Sequence, residues 1–298
     1  MKKLAVVAFA VSCACGAFLA AQEHGNGADN NPGAGEPEIK GVHWARDAQP
    51  ARPKSSPTMT YHGGKIMPTV NSTAIFWGTS WTSSDPKIAG LNAFYNGHNL
   101  SNYAATVNEY AGSNGQVGSA LTHNGSIIDN SPASGGNRSS VILGEVCKVI
   151  TSLDPTGNGY YPVYTDVPRG RAGYCAWHSA GTCSGVPVQF GFFFKLDGDA
   201  GCDPQDTQTG NSQGLAALAN VSAHEISEAR SDPASPGAWY DSSGAENGDK
   251  CAWTFNVPFV TFPDGHKWKL QGEWSNAAYN NGTGYPNSSG QRGCVDGH

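Results

Sequence analysis

The chain has 298 residues, of which 39 are Gly and 18 Pro, and its charged residues amount to only 14%, against about 25% in an ordinary domain. Eighteen Lys and Arg against 24 Asp and Glu leave a net charge of −6, which excludes a nucleic-acid binder, because tracking phosphates needs a basic surface. An aromatic content of 10% supplies core material that a disordered polyampholyte lacks, so the composition describes a loop-rich, weakly charged globular protein.

In chain order, Lys2 and Lys3, the apolar run from Leu4 to Leu19 and the small residues Ala20 and Ala21 predict a signal peptide over 1–21, hence a secreted protein. No positive stop-transfer flank follows, so stable membrane insertion is not expected. Residues 22–57 lack hydrophobic periodicity and are rich in Pro, Gly and Asn, which predicts a flexible tether. From residue 58 onward the pattern becomes structured. A strand is expected over 69–77, then a helix from Ser84 or Asp85 to about Asn96, and a second from Ser101 through Tyr110. A strand within 118–128, a helix over 139–150 and strands over 160–167 and 187–196 follow. A long helix covers 212–231, and the tail, with segments 253–262 and 266–274, reads as a hairpin region. This alternation predicts a single α/β domain over 58–298, a mixed sheet flanked by helices.

Removal of the signal peptide takes Cys13 and Cys15 and leaves Cys147, Cys175, Cys183, Cys202, Cys251 and Cys294. Six cysteines in an oxidising compartment imply three disulfides. Fifteen pairings are open. Cys175 and Cys183 flank a short Gly-containing stretch read as a loop, which marks them as the expected local pair. No Cys-x-x-Cys spacing supports a thiolate zinc site.

The chemistry concentrates on the long helix, NSQGLAALANVSAHEISEARSDP. Its apolar stripe runs Leu215, Leu218, Ser222, Ile226, Ala229, at spacings of three and four. His224 and Glu228, four apart, share one face and converge on one ion. Glu225 lies beside them. The motif His-Glu-x-x-Glu is a variant of the HExxH zinc-protease helix with a carboxylate as second ligand, in which the Glu after the first His is the general base. A solvated His–Glu pair is the alternative. Against it, the stretch from Asn211 to Ala223 carries no charge, which predicts a helix buried on most sides, where imidazole and carboxylates need a cation. Further ligands are expected from Asp232, one helical repeat on, from the acidic loop WYDSSGAENGDKC through Asp241, Glu246 or Asp249, or from His178 in YCAWHSAG, also a candidate catalytic group; His62 in YHGG is a weaker candidate. The acidic loop equally suits a turn or a calcium site.

These segments resemble the phosphate-induced, EXORDIUM-like family of secreted proteins. The likeness runs through YHGG, AIFWGTSW, YYPVYTDV, YCAWHSA, LAALANVSAHEISEARSDP, WSNAAY and the late Cys294. It is nearest to bacterial secreted members reading S-H-E-x-x-E-A, T-D-P, W-Y-D, E and G-D-x-C. Here that pattern falls on Ser222, displaced by one, His224 to Ala229, Ser231 to Pro233, Trp239 to Asp241, Glu246 and Gly248 to Cys251. Ser231 replaces Thr, and Asn247 stands where an aliphatic residue is expected. The resemblance adds weight to Glu246 and Asp249 as ligands. The plant members have no firmly assigned chemistry.

Two functions follow. In one, the protein is a secreted zinc-dependent hydrolase, a peptidase acting on peptide or cell-wall material. His224 and Glu228 then bind zinc with Asp249, Glu246, Asp232 or His178, and Glu225 acts as base. In the other it is a non-catalytic surface protein with a structural ion or none, whose Trp77, Trp81 or Trp177 stacks on sugars or partners. Calcium is the second choice of metal.

Overall fold

The computed structural model describes residues 36–50 and 56–298. The signal peptide expected over 1–21 and the parts of the tether over 22–35 and 51–55 lie outside the described residues.

Six strands form the central sheet: β1 (Ile39–Trp44), β2 (Val70–Trp77), β3 (Leu121–Asp129), β4 (Gly159–Pro168), β5 (Tyr174–Cys183) and β6 (Val186–Lys195). Their order is β1-β5-β6-β4-β2-β3. Strands β3, β2, β4 and β6 run parallel, and β5 and β1 are added antiparallel, so the sheet is mixed. Its central strands are apolar along runs such as Ala74-Ile75-Phe76-Trp77 and Phe192-Phe193-Phe194, all buried, as strands covered on both faces require.

Helix α1 (Pro86–His98) begins where the Asp85 carboxylate accepts the Lys87 amide at 2.9 Å, with Pro86 at the first helical position, which costs no hydrogen bond there. Helix α2 is Ser139–Val149 and helix α3 is Gln213–Ser231, capped by Ser212. Helices α1 and α3 pack on one face. The Tyr95, Tyr164 and Ser222 hydroxyls form a buried chain of 2.8 and 2.7 Å hydrogen bonds that ties α1 to β4 and α3. Along β5 the side chains alternate. Trp177 Nε1 donates to the Gly136 carbonyl ahead of α2, and the next residue, His178, turns toward α3. Every residue of α3 from Gly214 to Ser231 is buried, as its uncharged first half predicted. Among the described residues no helix is long and apolar enough to cross a membrane.

Four readings of the sequence are corrected here. Residues 39–44, assigned to the tether, form edge strand β1, pairing Val42 with Trp177 and His43 with Ala176; the hydrogen-bonding edge of β5 orders a segment whose own pattern is weak. The expected helix from Ser101 contracts to a 3-10 turn, Ala104–Val107, because Tyr103, Ala104 and Val107 all point inward and the Asn108 amide closes on Ala105, three residues back. His178 lies on strand β5 and not in a loop. The local pair Cys175–Cys183 does not form: eight residues of extended chain hold these cysteines about 26 Å apart. The three disulfides are Cys147–Cys183, Cys175–Cys202 and Cys251–Cys294. Non-reducing peptide mapping of the purified protein is expected to recover these three links and no Cys175–Cys183 peptide.

Candidate metal centre

The face of α3 that meets β1 and β5 carries His224 and Glu228, one turn apart, with His224 Nε2 3.1 Å from Glu228 Oε1. From β5, His178 presents Nε2 at 3.0 Å to Glu246 Oε2 and 3.6 Å to Glu228 Oε2. Glu246 and Asp249 come from the loop that closes over α3 as the short helix α4 (Asn247–Lys250). Asn247, where an aliphatic residue was expected, docks this loop: its side-chain amide donates to the Ser227 carbonyl and to Ser231 Oγ, both at 3.2 Å. The Asp249 amide then donates to Glu228 Oε1 at 3.0 Å, and Cys251–Cys294 anchors the loop from behind.

Two groups result in which one atom of each residue lies within 4.8 Å of the others: His178 with Glu228 and Glu246, and His224 with Glu228 and Asp249. Either could hold a metal ion, and Glu228 belongs to both. Asp232 belongs to neither. Pro233 ends the helix, the Asp232 carboxylate accepts the Ala238 amide, and it lies against the Glu246 carboxyl. Glu225 is also outside both groups. It is fully buried, with no side-chain hydrogen-bond partner among the described residues and the His43 main chain beside it. Asp241 serves the turn, accepting the Ser243 amide at 2.8 Å and Lys250 Nζ at 2.7 Å. His62 is exposed and stacks on Tyr240 with ring centroids 3.7 Å apart.

Space for these groups is made by two glycines. A Cβ on Gly41 of β1 would stand 2.0 Å from Glu228 Oε2 and 2.6 Å from His178 Nε2, and one on Gly248 would stand 2.7 Å from His224 Nδ1. Sequence reasoning missed Gly41 and His43, which stand in the segment assigned to the tether, and Gln271, which has no motif around it. The alternating stretch Ile39–Trp44 was the available signal. His43 packs against His224 with ring centroids 4.2 Å apart, and its Nε2 lies 3.0 Å from Gln271 Oε1.

Six carboxylates, Glu225, Glu228, Asp232, Glu246, Asp249 and Glu273, are thus buried in one region, none more than 7% exposed. Burial first, and then repulsion from neighbouring carboxylates, pushes Glu225 and Glu246 well above the usual carboxyl range, and burial raises Asp232 and Glu273 as well. Burial and the nearby His224 push His43 and His178 well below the usual imidazole value. Lys40, partly buried, is a cation that answers this cluster, held charged against burial by Asp232, Glu38 and Glu246. Arg230, brought down to about 9 by burial, spends its hydrogen bonds on the carbonyls of Ala104 and Gly118. The centre therefore has a surplus of acid and suits an added cation. No family model, no curated protein and no solved structure matches the chain, so the centre is read from its own residues.

Gly41→Ala is expected to lower the unfolding free energy by about 1–3 kcal/mol through overpacking. Gly144→Ala in α2, with nothing within 4 Å of the new Cβ, should raise it by about 0.5–1 kcal/mol; urea denaturation reads both. The pH dependence has a definite sign. Protonated Glu225, Glu246 and Glu273 contribute stability that is full below 4.5 and lost as pH rises through their raised values. The depressed imidazoles contribute stability present above 6.5 and lost as pH falls. Between about 7.5 and 8.5 the unfolded imidazoles are already neutral and only the raised carboxyls act, so protein held in chelator should lose stability as pH rises. A rise in urea midpoint over that interval would contradict the assignment.

Proposed function

We propose that this protein is a secreted metal-binding protein whose divalent ion occupies the buried imidazole–carboxylate centre and fastens α3 to β1, β5 and the α4 loop. One observation carries this reading: two ligand groups share Glu228 in a core where six carboxylates are buried together. Zinc suits these mixed nitrogen and oxygen donors. Calcium, which takes six to eight oxygens, suits them less well. Enclosure favours a structural ion, since a catalytic zinc keeps a coordination position open and His178, His224, Glu228 and Glu246 are all at most 2% exposed. The three disulfides fit the oxidising compartment that secretion implies. The resemblance to phosphate-induced, EXORDIUM-like proteins is part of the same proposal.

The second reading is a zinc-dependent hydrolase acting on peptide or cell-wall material. Glu225 favours it: next in sequence to His224 and outside both ligand groups, it is placed to take the proton of an attacking water once a bound cation nearby favours its ionised form. The sugar-stacking role expected of Trp77, Trp81 and Trp177 is dropped, because they are 7%, 4% and 1% exposed and lie in the core.

Elemental analysis and thermal unfolding decide between these readings. Wild type is expected to hold zinc stoichiometrically and to gain about 4 kcal/mol of stability with free zinc at a thousandfold its Kd; Glu228→Gln should lose both. Glu225→Gln should retain the metal. If wild type also cleaves members of a broad peptide library and Glu225→Gln does not, the hydrolase reading replaces the structural one. A wild type without metal, whose melting is indifferent to zinc, overturns both.

A further inference from the structure

This inference rests on the metal-binding reading and concerns which of the two groups takes the ion. His224 Nδ1 lies 3.0 Å from the side-chain nitrogen of Gln271. Two other bonds fix the orientation of that amide. Its Nε2 donates to the Gly248 carbonyl at 2.9 Å, and its Oε1 accepts the Trp253 amide at 3.2 Å. Exchanging the two atoms would set oxygen against oxygen and N–H against N–H. An amide nitrogen only donates, so His224 Nδ1 accepts, and in the neutral ring the proton sits on Nε2. That nitrogen is the one 3.1 Å from Glu228 Oε1.

A protonated ring nitrogen has no lone pair for a metal. A liganding histidine turns its far N–H toward an acceptor, whereas the far nitrogen of His224 meets a donor. His178 is under no such constraint. Its Nε2 faces Glu246 Oε2 and Glu228 Oε2, and no donor reaches its Nδ1 among the described residues. Glu228 is divided accordingly. Oε1 takes the Asp249 amide and lies against His224, while Oε2 turns to His178 beside the space that Gly41 leaves. Glu246 is buried there, with its carboxyl against those of Glu228 and Asp232.

We propose that His178, Glu228 and Glu246 hold the ion. His224, clamped by Gln271 as its Nε2–H tautomer, is a positioning residue that orients Glu228. The helix motif then supplies one ligand instead of two, and the ligand histidine comes from the sheet.

The test uses the disulfide-bonded protein and zinc alone. Long-range 15N–1H spectra of wild type should show His224 protonated at Nε2 and unprotonated at Nδ1 both before and after zinc, with the zinc-induced shift on His178 Nε2. X-ray absorption of the zinc protein should count one imidazole, and the same one in His224→Gln. In zinc competition titrations His178→Gln should bind more than about 1000-fold more weakly, and His224→Gln about 10- to 100-fold, the range for loss of a supporting group. Loss of the Nε2 proton of His224 on zinc binding, or zinc retained by His178→Gln and lost by His224→Gln, overturns the assignment. The wild-type spectra need no variant to fold. A wild type that takes up no zinc overturns the metal reading itself, whereas zinc bound at His224 overturns only the choice of ligands.

Discussion

The arrangement of the core depends on the cost of holding ionised carboxylates away from water. An isolated buried carboxylate is so unfavourable that it takes a proton or acquires a positive partner. Helix α3 brings Glu225 and Glu228 into the interior, Glu273 lies buried in the same region, and the α4 loop adds Glu246 and Asp249. Much of the surrounding structure answers that burden. Lys40 reaches in from the edge strand, main-chain amides of Asp249 and Ala238 point at Glu228 and Asp232, and Tyr103 donates to Glu273 at 2.7 Å. These donors leave the acid in excess, and a divalent cation is the simplest species that closes the balance.

The same constraint accounts for the packing. A helix buried on every side must be lined by small residues wherever backbone approaches backbone, and α3 supplies Ala216, Ala217, Ala219, Ala223 and Ala229. Where the neighbours approach the polar groups, the neighbours themselves lack side chains, at Gly41 and Gly248. Substituents arrive from five separated parts of the chain, so their relative positions have to be held from outside. The sheet fixes His43 and His178, and disulfides fasten both β5, through Cys175–Cys202, and the α4 loop, through Cys251–Cys294. Gln271 joins the parts, contacting His43, His224, Gly248 and Trp253 with one side-chain amide.

For function, the decisive property is enclosure. The His-Glu-x-x-Glu helix belongs by pattern with open catalytic zinc sites, yet here β1 and the α4 loop cover it. An ion held this way stabilises the fold that surrounds it, because the unfolded chain has no such site. Catalysis would need β1 or the α4 loop to move, and among the described residues β1 is an edge strand, paired on one side only.

Much of this architecture was legible in the sequence. Period and capping marked α1, α2, α3 and strands β2, β3, β4 and β6, since these signals are local: Asp85 caps its own helix, and the charge-free run before Ala223 announces burial wherever the helix lands. The spacing of His224 and Glu228 likewise guarantees a shared face. Tertiary structure alone decided the rest. Strand β1 exists because β5 offers it an edge, and β5 was obscured by two cysteines that read as the ends of a loop. Cysteine pairing depends on which strands lie side by side, and count and spacing do not carry that. The proton on His224 is set by an amide 47 residues away, and no pattern around either residue reports it. Local chemistry determines what a segment is able to form; long-range contact, through burial and hydrogen-bond donors from elsewhere in the chain, determines what its side chains then do.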